Sequence, residues 1–153
     1  MNLINRVNEL NLKLPPAPKP VGLYKPTLVV DNFLYVSGQG PINLDGSLIT
    51  GKVGSHLNKN EAKVAARQVG LTMLSTIITN FKNFRKIKRI VKVFGMVNSD
   101  NSFTEHPYVI NGFSELMAEI FGNKMGIGVR SAVGMTLPQN IAVEIEAQFE
   151  IKT

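Results

Sequence analysis

The chain has no cysteine and only two histidines among its 153 residues. Without cysteine it has no disulfide, no thiolate metal site and no cysteine nucleophile. That fits a reducing compartment, and the cytoplasm is the expected location. His56 and His106 are far apart in sequence, and neither has a partner at metal-ligand spacing. They are expected to be a loop residue and a helix-start residue. No G-x-S-x-G elbow for a serine hydrolase is present, and there is no Walker A sequence. "GIGVRS" begins like a dinucleotide fingerprint, but Ser131 takes the third glycine position. No apolar run approaches the roughly 20 residues needed to span a bilayer. "MNLINRVNELNLKL" lacks a continuous apolar segment and a small-residue cleavage site, so no signal peptide is expected.

What is present is ordinary globular composition, 44% hydrophobic and 18% charged. The length suits one domain with a full core, expected over residues 1–153, with residues 1–20 as an N-terminal extension. The net charge is +6, and "FKNFRKIKRIVK" holds Lys82, Arg85, Lys86, Lys88, Arg89 and Lys92. These six of 17 basic residues carry the whole excess, since the other 11 balance the 11 acids. The cluster reads either as a patch for nucleic acid or an acidic partner, with Phe81 and Phe84 as stacking platforms, or as a solvated strand edge kept soluble by lysine.

Along the chain, Leu3, Ile4, Val7 and Leu10 have helical spacing and predict a short docking helix. Residues 12–26 are proline-rich and expected to be extended. "TLVVDNFLYVSG" reads as a hairpin turning at Asp31-Asn32, and Asp45-Gly46 marks a second turn. In the first long helix, Asn58 or Asn60 is the cap and Glu61 suits the positive end. Ala62, Ala65, Val69, Met73 and Ile77 form its apolar stripe, widened by Leu74 and Ile78. Gly70, within it, is expected to allow close packing on a sheet. "IKRIVKVFGMVN" reads as a strand. A second helix follows, with Ser102 and Glu105 as a capping box and Pro107 in the first turn. Tyr108, Phe113, Leu116, Met117, Ile120 and Phe121 are expected on its core side, and Gly122 as its stop. "IGVRSAVGMTL" is a strand, Leu137-Pro138 a turn, and residues 141–151 the last strand. Strands at both ends and helices between them argue for an α+β fold, with two helices on one face of a mixed sheet.

Two features could carry chemistry. The last strand alternates, so Glu144, Glu146 and Glu150 share one face and the apolar residues take the other. The acids either meet water or lie against another subunit, where one of them serves a site. Arg130 lies in the apolar run "MGIGVRSAVGM", which costs free energy unless the charge is paired or binds an anion. It either forms a structural ion pair with one of those glutamates or grips the carboxylate of a small substrate with its planar fork.

The pieces "YVSGQGPI", "AARQ", "NGFSELMAEIF" and "VRSAVGMTLPQNIAVEIEA" together resemble the YjgF/RidA family, the reactive intermediate deaminases also called endoribonuclease L-PSP proteins. The resemblance covers roughly residues 20–153. It implies a chorismate-mutase-like fold with a mixed sheet of about six strands, and a homotrimer with sites in the clefts between subunits. It further implies hydrolysis of enamines and imines such as 2-aminoacrylate to 2-oxo acids and ammonia, without a metal or organic cofactor. By the same resemblance, Arg130 binds the carboxylate of a small metabolite and Glu144 positions the attacking water. Tyr24 belongs to the pocket wall, Asn111 lies near the site, and Ser37, Gly38 and Gln39 shape the pocket. The chain departs from the family pattern in three ways. Ala132 stands where cysteine is common, the segment from Arg130 to Leu137 is one residue shorter, and an N-terminal extension is present. Two other roles remain open: holding a carboxylated metabolite without turnover, or binding or cleaving RNA through the basic segment.

Overall fold

A computed structural model describes residues 2–152. Helix α1 (Leu3–Glu9) is capped by the Asn2 side chain, which accepts from the Ile4 and Asn5 amides. It buries Leu3 and Val7, and the Arg6 guanidinium donates to the Glu119 carbonyl. Residues 12–20 then run without regular structure. Strands β1 (Thr27–Val30) and β2 (Phe33–Gln39) form the expected hairpin, with Asp31 in the left-handed region at φ 50°. Helix α2 (Lys59–Asn80) starts in a full capping box. The Asn58 side chain accepts from the Glu61 amide, and the Glu61 carboxylate accepts from the Asn58 amide. After α2 come β3 (Ile87–Val97), α3 (His106–Phe121), the single turn α4 (Asn123–Gly126), β4 (Val129–Gly134) and β5 (Val143–Ile151). None of the described helices is long and apolar enough to cross a membrane.

The sheet order is β1-β2-β5-β3-β4, with only the β3–β4 pair parallel. Among the described residues it has five strands, not about six. The segment around Asp45-Gly46 turns as expected, but its flanks form only isolated bridges, Ile42 to Leu48 across the turn and Thr50 to Ile141. Pro41 has no amide to extend the first bridge, and Gly51 breaks the run after the second at φ 127°.

Helices α2 and α3 cover one face, burying Val143, Ile145, Ala147 and Phe149 of β5 against Ala62, Ala65, Val69, Met73 and Ile77. Gly70 makes a close approach to α3 rather than to the sheet, since an added Cβ would lie 2.7 Å from Leu116 Cδ2. At the start of α3 the Ser102–Glu105 capping box does not form. Asp100 accepts from the Ser102 and Phe103 amides and holds Ser102 in a turn. Glu105 itself becomes the cap residue, without a side-chain bond. Tyr108 is only partly buried, and its hydroxyl donates to Asn60 rather than entering the core.

Candidate active site

On β5, Glu144 lies between Val143 and Ile145, both wholly buried under the helices. The pleat therefore sends Glu144 to the opposite, helix-free face. There it meets an irregularity in β2. Val36 pairs with Ala147 and Gln39 with Ile145, so three steps on β2 span two on β5. The extra residue is a β-bulge at the Ser37-Gly38 step. Gly38 lets the carboxylate lie against the bulge, since a Cβ there would lie 3.0 Å from Glu144 Oε2. The bulge is pinned from both sides. The Ser37 hydroxyl donates to the Lys25 carbonyl at 2.6 Å. Gln39 donates to the Ser37 carbonyl and accepts from the buried Thr76 hydroxyl. The polar atoms of Ser37 and Gln39 thus serve first to hold the backbone in shape.

Glu144 is half-buried and has no ion-pair partner among the described residues. Burial pushes its carboxyl above the ordinary value, and the neighbouring Glu146 charge adds to the effect. It faces a cleft of about 560 Å³ that also takes in Tyr24, Ser37, Gly38 and Gln39. Five of the residues singled out in the sequence are thus brought together. Pro138 and Gln139 close one side of this cleft. Their turn is fixed by the buried Asn98, whose side chain donates to Asn140 Oδ1 at 2.9 Å.

Arg130 is elsewhere. On the edge strand β4 it pairs with Val93, whose side chain is in the core, so it points to the helix face. Its guanidinium donates to Ser114 Oγ at 3.0 Å, Asn111 Oδ1 at 2.7 Å and the Pro107 carbonyl at 3.2 Å. All three acceptors are neutral, which removes the structural ion pair with a β5 glutamate. With three of its five donors used, two remain for a ligand. Burial lowers its pKa, as expected for a cation without a counter-ion. Arg130 and Asn111 line a second cleft, of about 510 Å³, which shares no residue with the first.

The sequence reading missed Ser114 and the segment Pro18–Val21. Ser114 follows Asn111 by three residues on one helix, and that spacing alone places both on one face. Pro18, Pro20 and Val21 line the Glu144 cleft, and nothing in their local pattern points there. The histidines fall as expected. His56 is a loop residue accepting from the Lys52 amide, and His106 opens α3 beside the Ser99 hydroxyl. In the basic segment, Phe81 is buried and Phe84 packs on the core, so neither is a stacking platform, and Lys88 pairs with Glu150 at 2.6 Å.

A family profile described as "YjgF/chorismate mutase-like, putative endoribonuclease" matches residues 5–141. The chain belongs to this family. Protein TCP17 of Trypanosoma cruzi is 38% identical over 146 residues, covering 95% of this chain and 91% of that protein. The 2-iminobutanoate/2-iminopropanoate deaminase of Dermatophagoides farinae is 28% identical, with 89% of this chain and 91% of that one covered. Among solved structures, a protein of unknown function from Agrobacterium tumefaciens superposes with a TM-score of 0.86 at 36% identity, covering 99% of this chain and 94% of that one. The YjgF likeness carried by the β2, α2, α3 and β4–β5 motifs is therefore shown, and with it the chorismate-mutase-like fold.

Proposed function

We propose that the protein is an imine deaminase, hydrolysing 2-imino acids to 2-oxo acids and ammonia at sites completed between copies of the chain in a homotrimer. The observation that carries this reading is Glu144: a half-buried carboxylate with no cation partner, its carboxyl raised by burial, facing a cleft beside Tyr24 and the Ser37-Gly38 bulge. A group tuned upward in this way can take a proton from water near neutral pH and return it. Arg130, with no anion of its own among the described residues, supplies the second requirement, an anchor for the substrate carboxylate. Since the two open on opposite faces of one protomer, the anchor would come from a neighbouring copy.

The chemistry needs little more. A protonated imine carbon is already electrophilic. Glu144 removes a proton as water adds, giving a carbinolamine. It then protonates the amino group, the C–N bond breaks with its electron pair leaving on ammonia, and the hydroxyl proton passes through Glu144 to that ammonia as the carbonyl forms. The products are the 2-oxo acid and ammonium. Orientation of water and imine supplies several kcal/mol of the barrier reduction. The test is competition with semicarbazide for imines made in situ by an amino-acid oxidase. Wild-type protein should lower the trapped product, and Arg130→Ala and Glu144→Gln should not. If wild type leaves the trapped product unchanged for small and bulky imines alike, the reading fails.

A further inference from the structure

The first wall of the Glu144 cleft is not part of the sheet. It is the strap between residues 15 and 26, tied at both ends. The Pro15 carbonyl accepts from Ser75 Oγ at 2.6 Å. At the other end the Lys25 carbonyl accepts from Ser37 Oγ, and the Pro26 carbonyl accepts from the Ser37 amide at 3.0 Å. Pro15, Pro16, Pro18 and Pro20 stiffen the span between these ties, so it holds its shape before any ligand arrives. Across the cleft from one another and around it stand Pro18, Pro20, Val21, Ile42, Leu48 and Ile141. At about 560 Å³ the cleft is in the range that holds ligands well beyond three or four carbons. Val21 lines it and yet is 89% exposed, and Leu23 beside it is fully exposed. The polar lining, Lys19, Gln39, Gln139, Glu144 and Glu146, leaves this apolar part of the cleft in water, and apolar groups so placed gain from a ligand that covers them.

We propose that the strap is the specificity wall of this cleft and selects 2-imino acids with bulky apolar side chains, such as isobutyl or benzyl, over the methyl compound. The imine part of this statement rests on the proposed deaminase function. The apolar preference is a property of the cleft and can be read without turnover.

The full chain is titrated by calorimetry with three stable 2-oxo acids: pyruvate, 4-methyl-2-oxopentanoate and phenylpyruvate. The two bulky acids should bind at least about 10-fold tighter than pyruvate, the size of effect expected from covering one valine-sized surface. Val21→Ser should remove most of that advantage, weakening the two bulky acids about 5-fold or more relative to pyruvate, while Val21→Leu should retain it. Val21 is exposed, so neither substitution threatens folding. The semicarbazide competition is then run on the imines of alanine, leucine and phenylalanine. If the binding preference and its loss in Val21→Ser are seen without any turnover, the strap inference stands and the deaminase reading falls. Turnover without a size preference overturns the inference alone. Equal loss of all ligands in Val21→Ser, or no binding of any, also overturns it.

Discussion

Two variants that are each inactive should restore one another when they assemble together. In one protomer Glu144 opens to the helix-free face of the sheet, in a cleft with Tyr24 and Gly38. Arg130 opens to the helix face, in a different cleft with Asn111 and Ser114. If each working site takes Glu144 from one copy and Arg130 from the next, Arg130→Ala subunits still offer a sound Glu144. Glu144→Gln subunits still offer a sound Arg130. In an equal, random mixture half of the glutamates and half of the arginines are intact, so about a quarter of the sites in a closed ring combine both. The two variants are co-expressed with different tags, purified through both tags, and assayed for imine hydrolysis against the separately prepared parents. Double purification removes the homogeneous rings. In a mixed three-membered ring one site in three should then be intact, giving about a third of wild-type activity. Parents assayed alone should remain near background. A mixture no more active than its parents would refute the composite site, and with it the division of labour between Glu144 and Arg130.

The upward shift of the Glu144 carboxyl has a pH consequence. The base must be ionised to accept a proton from water, so hydrolysis should fall on the acid side with a midpoint above the ordinary glutamate value of about 4.3. A pH profile of kcat/KM whose acid limb lies at or below that value would remove Glu144 as the base. Gly38→Ala places a methyl group 3.0 Å from Glu144 Oε2. The carboxylate can swing aside, so stability should hardly change, while misplacement of the base should lower kcat on the order of 100-fold; thermal melting and steady-state kinetics check the two halves. On the edge strand β4, Val129 is 67% exposed beside Arg130, and Ile127 is 56% exposed just before it. Val129→Lys should leave the protomer folded by circular dichroism but shift it to a smaller species on size exclusion, with loss of hydrolysis. An intact, active assembly would show that this edge is not an interface.

The fold was legible wherever local chemistry and tertiary packing agreed. Asn58 with Glu61 makes a capping box that needs nothing beyond four residues, and it forms as read. The hydrophobic alternation of residues 143–151 and the stripe from Ala62 to Ile77 translate directly into buried faces. Errors arose where a neighbour competed for the same groups. Ser102 had the spacing of a cap, but Asp100 took the amides that follow it. The turn at Asp45-Gly46 was visible, but not that its flanks would form isolated bridges in place of strands, which depends on Pro41 and on the conformation of Gly51. For the site, the motif residues were legible but their division was not. Face alternation says where Glu144 points relative to Val143. It does not say that Arg130, on another strand, would point to the helices. The strap wall was hidden for a similar reason, since a proline-rich segment announces stiffness but not what it lies against.

The separation of the two charges also explains how both can stay unpaired. A half-buried carboxylate and a partly buried guanidinium in one small chain would each gain from meeting. The sheet forbids it. Glu144 is fixed to one face because its neighbours Val143 and Ile145 are core residues, and slipping β5 by one residue would expose the entire apolar set. Arg130 is fixed to the other face by the acceptors of α3. Three neutral oxygens orient the guanidinium without neutralising it, so its attraction for an anion is kept. An internal salt bridge would pull the carboxyl down and occupy the fork, the opposite of what the proposed base and anchor need. Opposite faces of a central and an edge strand keep both groups unpaired within the protomer, which is what the proposed site between copies requires of them.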